Sequence, residues 1–159
     1  MGLPLAVALA EHFNVLGLDI DHGRTEELAE GHDRTGEVTP DSLKKSRCTY
    51  TSEAADLANS DIFIVAVPTP VDDEKVPDLG PLRGACESVG PHVTGGSVVV
   101  FESTVFPGAT EDICGPILER LSGLVCGKDF FLGYSPERMN PGDTEHTVAN
   151  IVKVVAGQT

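Results

Sequence analysis

Basic residues are scarce in this chain of 159 residues: 11 stand against 25 acidic ones, a formal net charge of -14, and only five of the 11 are lysine. That balance excludes a nucleic-acid or anionic-membrane partner, because the summed field repels phosphate. An anionic ligand must then be held by local donors such as helix amino ends. So strong an acidic excess also suits a high-salt cytoplasm. No apolar stretch approaches the roughly 20 residues of a membrane helix, and residues 3–10, although apolar, lack the basic leader of a signal peptide. Cys48, Cys86, Cys114 and Cys126 form no C-x-x-C pair, and none of His12, His22, His32, His92 and His146 stands at metal-ligand spacing. A metal site is therefore not expected, and the thiols read as free and mostly buried in a reducing cytoplasm. There is no G-x-S-x-G elbow and no P-loop lysine, which sets aside hydrolase and kinase chemistry. Internal repeats and low-complexity tracts are also missing.

What is present is an alternation of short apolar runs and helical patterns in one expected domain, residues 1–159. Residues 61–70, DIFIVAVPTP, centre on a β-branched run that reads as a strand buried on both faces of a parallel sheet. Pro68 ends it, since proline cannot donate to a ladder. Residues 97–101, SVVVF, and 130–134, FFLGY, read as two more such strands, and 151–156 as a last one. Upstream, residues 2–12 read as a helix, 13–19 as a strand ending in Asp19, 24–30 as a helix and 48–51 as a short edge strand. Ser52 is expected to cap a helix to about residue 59, Asp78 one to about residue 89, and Thr110 one kinked by Pro116. Strand and helix in this order imply an α/β fold with a doubly wound, Rossmann-type parallel sheet.

In such sheets ligands lie outside the carboxyl ends of the strands. Val67, Pro68 and Thr69 are therefore either a ligand edge or simply a rigid exit. Asp19, at the end of a strand that follows a helix opening at Gly2, is placed like the acid that bonds an adenosine ribose and repels an extra ribose phosphate. A solvated strand-end acid fits as well, since one glycine of the usual three is present. Thr104 and Glu137 follow two different strands; together a hydroxyl and a partly desolvated carboxylate can hold and deprotonate a water, or they are a capping hydroxyl and a surface acid. Arg138 can clamp a phosphate or pair with Glu137.

Taken together, the motifs resemble the amino-terminal domain of the UDP-glucose/GDP-mannose dehydrogenase family. Gly2-Leu3-Pro4-Leu5-Ala6 resembles the tail of that family's glycine fingerprint, and Asp19-Ile20-Asp21 with Arg24 its ribose-binding turn. V-P-T-P at 67–70, E-S-T-V at 102–105, P-G-A-T at 107–110 and S-P-E-R at 135–138 match in order and spacing. The resemblance implies NAD as cofactor and oxidation of the 6-hydroxymethyl group of a UDP-sugar to a carboxylate in two hydride transfers, by way of an aldehyde and an enzyme thioester, for polysaccharide or glycan biosynthesis. It implies that Gly2, Asp19, Arg24, Val67, Pro68, Thr69, Ser103 and Thr104 bind the cofactor. It further implies that Thr104 and Glu137 activate the hydrolytic water, and that Glu137, Arg138 and Asn140 bind substrate. Pro141 stands where glucose-specific members carry a second glutamate, a pattern that resembles the branch acting on UDP-N-acetylhexosamines.

Two departures from the family pattern matter. The first strand and first two glycines should precede Gly2, and Met1 stands where the family has valine, as a GTG codon read as a start would leave it. The nucleophilic cysteine, lysine and asparagine belong to domains beyond Thr159, so the chain reads as a cofactor half, inactive alone, of a cytoplasmic and homo-oligomeric enzyme. A gap or a makeshift closure is expected beside residues 62–67, where the first strand would pair. Other readings are a β-hydroxyacid dehydrogenase domain, against which E-S-T-V and S-P-E-R count, and a non-catalytic nucleotide-binding or interaction module.

Overall fold

The computed structural model describes residues 2–136 and 152–158, which fall into two compact units, one of residues 2–56 with 152 and one of residues 57–136 with 153–158. Glu137, Arg138, Asn140 and Pro141 lie outside the described residues.

The first unit opens with α1 (Gly2–Leu9), where Pro4 is tolerated because the first turn has no amide partners to lose. β1 (Leu16–Leu18) pairs in parallel with β2 (Thr49–Thr51). Between them run α2 (His22–Ala29) and α3 (Pro40–Lys45). α2 is capped by the Asp21 carboxylate, which accepts from Arg24 N at 3.2 Å. α3 is capped by Thr39, with Pro40 at its first position, Asp41 in its first turn and Lys44 and Lys45 in its last, each matched to the helix dipole. Leu28, Val38 and Leu43 form the core of this unit, with Leu3, Val7 and Tyr50 packed on it.

The second unit is built on β3 (Ile62–Val65), β4 (Val98–Phe101) and β5 (Phe131–Tyr134), all parallel and in register, with the two-residue β6 (Ala156–Gly157) antiparallel to β5. α4 (Gly80–Val89) and α5 (Gly115–Ser122) cover one face. There Phe63, Val65, Val99, Phe101 and Leu132 meet Leu82, Cys86, Val89 and Leu118, all buried, each large side chain contributing about 1.5–3 kcal/mol. The chain is thus an α/β protein with parallel sheets.

Four expectations are corrected. First, β3 is not buried on both faces: Ile62 is 64% and Ile64 39% exposed, while Phe63 and Val65 are buried. The cause is coverage: among the described residues of this unit α4 and α5 lie over the Phe63 and Val65 face, and Val98, Val100, Phe131 and Val155 line a shallow groove on the other. Second, the expected strand at 151–156 is, where described, an extended segment that reaches β5 only at Ala156 and Gly157 and runs the opposite way. Third, residues 54–59 form a 3-10 helix. Ser52 does not cap it: its hydroxyl meets His22 Nδ1 at 3.1 Å, and the local cap is Thr51 Oγ1, which accepts from Glu53 N at 3.0 Å. Fourth, no α-helix starts at Thr110. After Gly108 (φ 91°) the chain makes a π turn over Ala109–Cys114, and Gly115 N reaches Thr110 O, five residues back. Pro116 explains this: it has no N–H to give an α-helical turn, and its ring crowds the carbonyl four residues before it, so the preceding turn widens. α4 begins at Gly80, and Asp78 supports it from outside by accepting Gly80 N at 2.8 Å.

The expected gap beside β3 is matched in one respect: among the described residues β3 is an edge of its sheet, paired with β4 alone.

Two glycines of the second unit test its packing. A Cβ on Gly90 would lie 2.7 Å from Leu121 Cβ, whereas one on Gly84, inside α4, would meet nothing within 4 Å. Gly90→Ala should lower unfolding stability by about 1–3 kcal/mol, and Gly84→Ala should raise it by about 0.5–1 kcal/mol, read by urea denaturation.

Candidate functional site

In the first unit, β1 delivers Asp19 to its carboxyl end. Asp19 N donates to Thr51 O at 3.1 Å, which fixes the backbone, and Oδ1 accepts from Asp21 N at 2.9 Å. The side chain is exposed, and its second oxygen is bonded to no described residue, so it can accept from a vicinal diol. Gly2 opens α1, whose contact with β1 brings that helix beside the same strand.

Arg24 is placed differently from a freely reaching ligand group. Its guanidinium turns inward, and Nη2 donates to Asp33 Oδ1 at 2.6 Å. Nη1 is buried without a hydrogen-bond partner, 3.8 Å from Glu27 Oε2. Asp33 is the hub: it also accepts from Thr35 Oγ1 at 2.7 Å, Thr35 N at 3.0 Å and Val38 N at 2.9 Å. Burial by itself would push this carboxyl up; the donors from Thr35, Val38 and Arg24 outweigh it and hold Asp33 well below its ordinary 3.8. Around this hub Arg34 bridges Asp21 at 2.9 Å and Glu27 at 2.7 Å. The bond from Arg24 N, with the Arg34 guanidinium, lowers the Asp21 carboxyl. Asp33 and Arg34 escaped the sequence reading, since H-D-R-T-G-E reads as a polar turn. The available signal was an Asp two residues before a Thr, a pattern that often closes on its own backbone.

In the second unit, two hydroxyls clasp the ends of adjacent strands. Ser103 Oγ donates to Val67 O at 2.7 Å, and Thr69 Oγ1 donates to Thr104 O at 2.6 Å. Each crosses from one strand exit to the backbone of the other, so residues 67–69 and 103–104 are brought together as a single edge. Ser103 and Thr69 therefore position backbone rather than present free donors. Thr104 is exposed, and its own hydroxyl bonds to no described residue. Beneath this edge Glu102 N donates to Val65 O at 2.7 Å, and the Glu102 carboxylate is paired with Lys153. Nothing in the sequence marks two charges 51 positions apart as partners. Ser135 N donates to Phe101 O at 3.0 Å, and its buried Oγ has no partner. Among the described residues no group of acidic, cysteine or histidine side chains could hold a metal, and no helix is long and apolar enough to cross a membrane.

The family model described as UDP-glucose/GDP-mannose dehydrogenase family, NAD binding domain, matches residues 1–159. The chain belongs to that family. Its cofactor is accordingly NAD, and its fold is that of the Rossmann-type NAD domains among its structural neighbours. It is 55% identical over 159 residues to Protein CapL of Staphylococcus aureus and 51% identical over 160 residues to the UDP-N-acetyl-D-glucosamine 6-dehydrogenase of Pseudomonas aeruginosa. Both matches cover 100% of this chain, which spans 38% of each of those proteins. The structure of a UDP-D-ManNAc dehydrogenase from Pyrococcus horikoshii superimposes with a TM-score of 0.85 at 32% identity, over 98% of this chain and 38% of that one. An NDP-N-acetyl-D-galactosaminuronic acid dehydrogenase from Methanosarcina mazei Go1 does so with a TM-score of 0.88 at 28% identity, over 99% of this chain and 36% of that one.

The Asp33 hub gives a pH dependence with a defined sign. A depressed folded-state pKa stabilises fully above the unfolded value near 3.8, and the contribution is lost as pH falls from there toward the folded value. Asp33→Asn should cost about 2 kcal/mol at neutral pH. The difference between wild type and variant should shrink steadily as acid denaturation is followed below pH ~4.

Proposed function

We propose that this chain is the NAD-binding part of a cytoplasmic nucleotide-sugar 6-dehydrogenase. In the full-length enzyme it serves oxidation of the 6-hydroxymethyl of a UDP-N-acetylhexosamine to a carboxylate, for polysaccharide or glycan assembly. The observation that carries the reading is the reciprocal clasp of Ser103 on Val67 and Thr69 on Thr104 at the carboxyl edge of a parallel sheet, in a chain whose family is that of NAD-binding domains.

The residues fit the cofactor. Asp19 offers an exposed carboxylate to ribose hydroxyls, and its charge disfavours a ribose phosphate. Gly2 lets α1 approach closely. Arg24, bound to Asp33, keeps the turn that carries the adenosine end in shape. Val67, Pro68 and Thr69, with Ser103 and Thr104, line the dinucleotide through a backbone edge that the two hydroxyls hold fixed. The nicotinamide, when bound, takes up the hydride leaving the substrate carbon. Thr104, whose hydroxyl bonds to no described residue, orients the hydrolytic water, and Glu137 takes the proton from that water as the acyl group is released. Arg138 and Asn140 hold the substrate. The preference for an N-acetylhexosamine rests on Pro141 and on the relative at 51% identity, whose name is UDP-N-acetyl-D-glucosamine 6-dehydrogenase.

The test is kinetic and calorimetric, on the full-length enzyme. Asp19→Ala should weaken NAD binding about tenfold, equivalent to about 1.4 kcal/mol, with kcat at saturating NAD nearly unchanged. Thr104→Ala should lower kcat by about 100-fold or more, with NAD affinity retained. Unchanged NAD affinity in the first variant, or unchanged kcat in the second, would contradict the assignment.

A further inference from the structure

Lysine is rare in this chain, and four of its five lysines are exposed; Lys153 is drawn in. Its ammonium pairs with the Glu102 carboxylate, the two side chains being 18% and 9% exposed. An ion pair so far withdrawn from water holds its geometry, because parting the charges leaves each of them buried and uncompensated. How Lys153 reaches Glu102 follows from the topology. β6 runs against β5, with Ala156 opposite Tyr134 and Gly157 opposite Gly133, so the residues before Ala156 come in from the carboxyl-edge side of the sheet. β5 lies between β4 and β6, and the pair therefore spans the end of β5 to fasten the exit of β4. On the side of β3 that exit is held by backbone: Glu102 N donates to Val65 O at 2.7 Å, Ser103 Oγ to Val67 O at 2.7 Å, and Thr104 O accepts from Thr69 Oγ1 at 2.6 Å. On the other side the ladder closes where Ser135 N donates to Phe101 O at 3.0 Å. Beyond Phe101, among the described residues, the link on this side is the Glu102–Lys153 pair. Bonds to one neighbour alone leave a chain free to turn about them, and a contact from the opposite side fixes which way it faces. Thr104 is two residues further on and exposed, so the pair sets the direction of its hydroxyl.

We propose that Glu102 and Lys153 are positioning residues for hydrolysis of the acyl-enzyme, holding the exit of β4 so that the Thr104 hydroxyl meets the attacking water; the role rests on the dehydrogenase function proposed for this edge. In that step the water oxygen bonds to the acyl carbon and the C–S bond breaks, its electron pair staying on sulfur, which leaves as thiolate. One water proton goes to Glu137, and the carboxylic acid formed gives up the other to solvent. The two hydride transfers that come before need the substrate carbon against the nicotinamide and consume no water. They do not depend on where the Thr104 hydroxyl points. Loss of the pair therefore slows release of the acid and spares the oxidation that precedes it.

The experiment compares the full-length wild type with Lys153→Met, Glu102→Gln, Lys153→Arg and Thr104→Ala. The substrates are NAD and UDP-N-acetylglucosamine or its mannosamine epimer, whichever the wild type oxidises. Stopped flow follows NADH through the first turnover, and mass spectrometry weighs the quenched protein intact. Lys153→Met and Glu102→Gln should each show a burst of two NADH per subunit and a steady rate about tenfold below that of the wild type. Each should also hold more of the protein as a species heavier by one acyl group, with NAD affinity unchanged. Lys153→Arg should restore the steady rate and remove the excess adduct. A merely structural loss would lower the burst and the NAD affinity together with the steady rate. That result, or a wild-type steady rate in both Lys153→Met and Glu102→Gln, would overturn the proposal. Glu102→Gln keeps the shape of the side chain and decides the matter where Lys153→Met fails to fold. Thr104→Ala separates the two levels. If it accumulates no acyl-enzyme, the function proposed for the edge is overturned, and the positioning role with it; if it does so while the pair variants do not, the positioning role alone is overturned.

Discussion

Parallel pairing is the constraint on which the second unit depends. Because β3, β4 and β5 run the same way and in register, Val65, Phe101 and Tyr134 stand opposite one another as the last paired residues. Whatever follows each strand must therefore emerge at the same edge, although the three segments lie far apart in the chain. The hydroxyls of Ser103 and Thr69 use that proximity by satisfying carbonyls that the ended ladder would leave open, those of Val67 and Thr104. Glu102 and Lys153 do the same with charge a step below. The edge is rigid because its polar groups are consumed by one another. That leaves the Thr104 hydroxyl with no partner among the described residues.

The first unit reaches a comparable result by another route. Among the described residues its sheet has two strands, too few to order a long connection, and the 32–38 segment is held by one carboxylate. Asp33 gathers Arg24, Thr35 and Val38, so that Val38 can turn inward onto Leu28 and Leu43. Arg24 is thereby spent largely on structure. An arginine that resembles a ligand group in sequence can instead be the brace for the turn that presents the ligand.

Much of this was legible in the chain. Apolar runs at 62–67, 97–101 and 130–134 marked the three parallel strands, because β-branched residues between turn formers have few other places to go. The carboxyl-edge motifs were legible for the same reason, since Pro68, Ser103 and Ser135 each follow directly on such a run. Facing and direction were less accessible. The two-sided burial read into Ile62 and Ile64 failed because hydrophobicity reports what a residue can tolerate, whereas exposure depends on which helices lie over it. The 151–156 segment looked like another strand, but pairing direction is decided by tertiary contact. The π turn was half visible: Pro116 announced a disturbance, and the structure shows it as a widened turn over Ala109–Cys114. The Asp33 hub and the Glu102–Lys153 pair had no periodic signature at all.

The central claim is that the exits of β3 and β4 form one preorganised dinucleotide edge. Hydrogen–deuterium exchange on the full-length protein, with and without NAD, addresses it most directly. The account predicts added protection on NAD binding at residues 67–70 and 102–105, together with residues 19–24, while the helix-covered core at 82–89 stays as protected as before. Protection confined to other segments, with the exits of β3 and β4 exchanging at the same rate in both states, would contradict it.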